Sequence, residues 1–95
     1  MNEEIVNADT DDGQALGETV IEVVENQLAE NNPPEVQETL DRLIAEGESR
    51  ENAMRHIASA LIVEIFGTLK HQEPFDEVRY VKNLRGLPNT PEELL

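Results

Sequence analysis

Four side chains in this sequence have the type and setting for chemistry: Glu22, Glu25, His56 and Glu64. Carboxylates and an imidazole that converge from neighbouring helices would make a metal site. His56 and Glu64 are eight residues apart, about 80° around a helix, and share a side only loosely. No histidine pair at spacing four and no H-E-x-x-H run is present, and the other imidazole is His71. The set is too sparse to define a centre. The expectation is therefore no metal and no cofactor, with these four residues as the ligands if a degenerate helical metal site exists.

Glu64 stands apart because it interrupts the most apolar stretch of the chain, and burial is the usual means of fitting a carboxyl for proton transfer. An ion pair with Arg42, Arg55 or Arg79 accounts for a carboxylate there equally simply, and structural pairing is the expected role. Nucleophilic chemistry lacks its parts. Cysteine is absent, Ser49 reads as a helix cap, Ser59 lies on the central helix, and the five glycines are too scattered to cradle a phosphate. No residue is assigned a catalytic role, and the chain is read as leaning towards a non-enzyme.

The elements that must position these groups follow from hydrophobic spacing. Residues 1–12 are acidic and poor in apolar content, and are expected to be a disordered tail. Asp11 or Asp12 can cap the helix that follows. Leu16, Val20, Val23, Val24 and Leu28 form one helical stripe, which gives a first helix over 13–31. Pro34 opens a second over 34–46, with Val36, Leu40, Leu43 and Ile44 as its stripe and Gly47 as its left-handed stop.

Ser49 caps a third helix over 49–70, apolar nearly all round from Ala53 to Leu69 and so expected to be covered on several sides. A fourth, over 76–86, is capped by Asp76 and presents Val78, Val81 and Leu84, flanked by Phe75 and Leu87. Residues 89–95 are left as a C-terminal tail. No stretch reads as a strand. The expected fold is all-α, a four-helix antiparallel bundle-like domain over 13–88.

Charge narrows the function further. The chain carries 21 acidic and 7 basic side chains, a formal net charge of -14, and no Lys or Arg precedes Arg42. Twelve of the acids lie between Glu3 and Asp41, so that half repels a phosphate backbone and nucleic acid is not an expected partner. Arg79, Lys82 and Arg85, with Tyr80, form the one basic cluster, and it is expected to balance the acidic half, within the chain or across a subunit contact. The longest apolar run, from Ile57 to Phe66, reaches about half the roughly 20 residues of a membrane span. With no cysteine and an acidic start, Met1-Asn2-Glu3-Glu4, the chain is expected to be cytoplasmic, with no membrane partner.

Three blocks carry a resemblance: V-V-E-N-Q-L-A-E from Val23 to Glu30, P-P-E-V-x-x-T-L-x-R-L-x-A-E-G from Pro33 to Gly47, and P-F-D-E-x-R-Y from Pro74 to Tyr80. In these the chain resembles a family of small bacterial proteins of uncharacterised function, over roughly residues 16 to 88. The resemblance implies no activity. It does imply that relatives place histidines at spacing four on the first and third helices, at positions matching Gly17 and Ile21 and Glu51 and Arg55. Here those four places hold no imidazole, and His56 is one step out of register.

The sequence therefore points to an acidic helical protein that performs no chemistry and acts through protein contacts, with a homodimer expected because a chain this short has little mass to cover an apolar central helix. Two alternatives stay open. One is a helical metal-binding protein or metal-dependent enzyme using Glu22, Glu25, His56 and Glu64. The other is an adaptor whose acidic first helix docks a basic protein partner.

Overall fold

A computed structural model describes residues 17–95, so the expected acidic tail, the cap at Asp11 or Asp12 and the start of the first helix lie outside the described residues. The described chain is all-α: four helices in a bundle-like arrangement followed by a 3-10 turn, with no strand among the described residues. Helix α1 covers 17–30 and buries Val20 and Val24. It stops where Asn31 takes the left-handed conformation, φ 51°, which lets the Asn32 amide donate to the Gln27 carbonyl at 3.0 Å and the Asn31 amide to that of Leu28 at 3.2 Å. Asparagine tolerates that backbone better than most residues with a Cβ, and these bonds satisfy carbonyls the helix end leaves open.

Helix α2, Pro34–Ala45, begins with proline at a position where a missing amide hydrogen costs nothing. Its buried face is Val36, Thr39, Leu40 and Leu43, with Ile44 left half exposed at the edge. Gly47, at φ 106°, ends it, and the amides of Gly47 and Glu48 donate to the carbonyls of Ile44 and Leu43, each at 3.0 Å. This is the paired closure that a left-handed glycine permits.

Helix α3, Arg50–His71, is the longest, and Ser49 caps it by accepting from the Asn52 amide at 3.0 Å. Ala53, Ile57 and Ala60 are fully buried, and the small alanines let neighbouring helices approach closely. Truncating Ile57 to alanine would cost roughly 2–5 kcal/mol. Helix α4, Glu77–Gly86, is capped by Asp76, whose carboxylate accepts from the Arg79 amide at 3.0 Å.

Two sequence expectations need correction. The buried face of α4 is Tyr80, Asn83 and Leu84, continued by Leu87, whereas Val78 is 81% exposed. The end of α3 is also only partly covered: Phe66 is half exposed and Leu69 is 73% exposed. The reason is where α4 begins: the Asp76 amide is tied to Glu64, so α4 opens level with that residue and the last turns of α3 lie beyond its start.

The C-terminal residues, expected as a tail, instead pack back. Pro91 is buried, Glu92–Leu94 form the 3-10 turn, and Glu93 accepts from the Asn83 amide group at 3.2 Å. No helix among the described residues is long and apolar enough to cross a membrane.

Candidate functional site

The four candidate ligands go to three different places. Glu22 and Glu25 line a groove between α1 and α3. His56 is not among the residues lining that groove, and its Nε2 lies 3.6 Å from the Glu48 carboxylate at the approach to α3. Glu64 is deep between α3 and α4. Among the described residues, no three His, Asp, Glu or Cys side chains are grouped to hold a metal ion.

Glu64 is 1% exposed and fully engaged. Its Oε2 accepts from Arg79 Nε at 2.6 Å, and its Oε1 accepts from Arg79 Nη2 at 3.1 Å and from the Asp76 amide at 2.9 Å. The two-pronged geometry is the one guanidinium and carboxylate planes favour. The hydrogen bond from Arg79 to Glu64 raises the guanidinium's already high pKa, with the nearby Glu64, Asp76 and Glu73 charges adding to it and desolvation opposing.

The other two arginines considered as partners are occupied elsewhere. Arg42 donates to the Leu87 and Leu84 carbonyls at 2.8 and 3.1 Å, and Arg55 pairs with Glu51 at 3.6 Å. Glu64 thus ties the start of α4 to α3.

The basic cluster on α4 is split by the same tie. Arg79 turns inward and Tyr80 is buried, its hydroxyl donating to Gln27 Oε1 at 2.7 Å. Burial pushes the Tyr80 phenol above its ordinary value of 10, with the hydrogen bond to Gln27 pulling the other way. Lys82 and Arg85 stay exposed, and no described carboxylate lies within ion-pair distance of either.

Between α1 and α3 the described residues form an open trough of about 970 Å³. Ile21, Met54, Ala58 and Ile62 give it apolar walls, and Glu18, Glu22, Glu25 and Glu51 stand along it with Arg50 and Arg55. Arg50 donates to both carboxylate oxygens of Glu25, at 3.1 and 3.3 Å. That bond holds the Glu25 carboxyl below its ordinary 4.5 and raises the Arg50 guanidinium. Gly17, Ile21, Glu51 and Arg55, the positions where the resemblance implies histidines, all line this trough.

Sequence reading missed the groove. Its one signal was Ile21, an apolar residue outside the α1 stripe, facing an α3 that is apolar on more than one side. Comparison of the chain with protein-family models, with curated proteins and with solved structures found no match.

Proposed function

We propose that this is a non-enzymatic helical protein that acts by contact with other protein surfaces, and that the α1/α3 groove is its contact face. The observation that carries this reading is the division of labour among the polar groups. Glu64, Arg79, Arg42 and Tyr80 are consumed in fastening α4 to the other helices, while the α1/α3 groove stands open, apolar-walled and edged with charge. A long open trough with apolar walls suits an amphipathic helix better than a small substrate, which is usually enclosed on most sides. The acidic surplus favours a basic protein surface over a phosphate backbone.

The test is a photo-crosslinking amino acid placed at Ile62, in the groove, and separately at Glu38, exposed on α2, in the cell that makes the protein. Protein adducts are expected from position 62 well above those from position 38. Equal yields from both positions, or a stoichiometric transition metal in protein purified without chelators, would overturn the reading.

A further inference from the structure

The groove holds four carboxylates and two guanidiniums. Arg50 is matched to Glu25 and Arg55 to Glu51, which leaves Glu18 and Glu22, one helical turn apart on α1, as its surplus. Elsewhere on the same molecule, the outward face of α4 carries the opposite pattern. Val78, Lys82 and Arg85 fall at i, i+4 and i+7, one stripe of a helix, and all three are exposed. Val81 lies beside them, half buried. Among the described residues the fold therefore displays an apolar-walled trough with two acids left unmatched and a helix face with valine and two bases left unmatched.

We infer that the occupant of the groove is the outward face of α4 from a second copy of this chain, with Lys82 and Arg85 set against Glu18 and Glu22 and Val78 against the apolar wall. This rests on the reading of the groove as a contact face and adds its partner. Two facts favour a second copy over the chain's own N-terminal segment. Residues 1–12 contain five acids and no base, so the rim of the groove repels them. The α4 stripe supplies two cations where two carboxylates are spare. In a two-fold pair each copy gives its α4 and receives the other's, so the contact is made twice. Charge pairs at an exposed rim govern encounter and register and weaken with salt, so the association is salt-sensitive.

The experiment is light scattering on the eluting protein over a concentration series, at about 0.05 M and about 0.5 M NaCl, for the native chain and two charge reversals, Glu18→Lys/Glu22→Lys and Lys82→Glu/Arg85→Glu. The native chain is expected to associate at low salt and loosen at high salt. Each reversal alone should weaken association about tenfold or more, because like charges then face each other. An equimolar mixture of the two should associate again, since each reversed groove then meets a reversed α4 and each native groove a native one.

A native chain that is monomeric throughout, reversals without effect, or a mixture that stays apart would overturn the inference. So would association abolished by Leu69→Gln and indifferent to both reversals, which would move the contact to the exposed end of α3. Should the first reversal lose helix content, Glu18→Gln/Glu22→Gln takes its place as a weaker version of the same change. Crosslinks from Ile62 to a different protein and none to itself would sink this inference while leaving the contact-face reading intact.

Discussion

Glu64 and Arg79, fifteen residues apart in sequence, meet in a two-pronged hydrogen bond at 2.6 and 3.1 Å, and the same carboxylate accepts the Asp76 amide that opens α4. One buried side chain thus fixes both where α4 begins and which way it faces. Glu64→Gln keeps the shape but removes the charge and forces an amide N–H towards a guanidinium or a backbone donor. The expected loss is about 2 kcal/mol, read from urea unfolding, with the amide protons of α4 exchanging faster than those of α2. A variant as stable as the native chain would show that the pair is dispensable.

Gly67 is where α3 makes room for that pair. A Cβ there would lie 3.1 Å from Arg79 Nη2 and 3.5 Å from Glu73 Oε1. In an unconstrained helix interior, Gly→Ala gains about 1 kcal/mol. Here Arg79 is held by Glu64 and cannot simply move aside, so Gly67→Ala should gain nothing or destabilise. In an Arg79→Ala background the same change should recover its gain. Non-additivity in this double-mutant cycle is the readout, and equal effects in both backgrounds would refute it.

Tyr80 gives the chain an alkaline weakness. Burial raises the phenol above 10 in the folded state, with the Gln27 hydrogen bond opposing. The folded chain then keeps a proton that the unfolded chain releases above about pH 10. Stability from this group is complete below that pH and falls as pH rises further, by at most about 1.4 kcal/mol per pH unit. Tyr80→Phe should cost about 1 kcal/mol at neutral pH for the lost hydrogen bond and should flatten the alkaline decline. A decline of unchanged steepness in the variant would place its cause elsewhere.

What was legible in the sequence was local. Ser49, Asp76, Gly47 and Pro34 act within a turn of their own helix, so their capping roles could be read without knowing what packs where. The face of α4 could not. Val78, Val81 and Leu84 form an acceptable stripe, and so do Tyr80, Asn83, Leu84 and Leu87. The choice falls to Glu64 and Gln27, on other helices, which bind Arg79 and the Tyr80 hydroxyl. Glu64's partner was hidden for a related reason: three arginines were available, and only the packing shows that Arg42 and Arg55 are spent elsewhere. The groove has no local signature, because it is the space between two helices.

Arg42 shows how a charged residue can be spent on backbone. It donates to the Leu87 carbonyl, just past the end of α4, and to the Leu84 carbonyl, which also accepts from the Leu87 amide, while reaching Glu46 at 3.3 Å. Arg42→Met preserves much of the apolar stem and removes both bonds. It should cost about 1–2 kcal/mol and raise amide exchange at Leu84 to Asn89, leaving α1 unchanged. Uniform loss of protection across all helices would argue against a local role.

Salt should stabilise this fold, although ion pairs are usually weakened by it. The pairs Arg50–Glu25, Arg55–Glu51 and Arg42–Glu46 are largely exposed, and exposed pairs contribute little. Against them stands the mutual repulsion of a chain at -14, concentrated in a half that has twelve acids and no base. At about 0.5 M NaCl that repulsion is screened over a few ångströms, whereas the buried Glu64–Arg79 tie is screened far less. The melting temperature should therefore rise with NaCl, measured in Lys82→Gln/Arg85→Gln to keep association out of the reading. Acid adds a small opposite effect through Glu25. Its carboxyl is held below 4.5 by the Arg50 hydrogen bond, so its contribution is present above that value and is lost as pH falls through the lowered one. A melting temperature that drops as salt is added would mean that the surface pairs outweigh the repulsion.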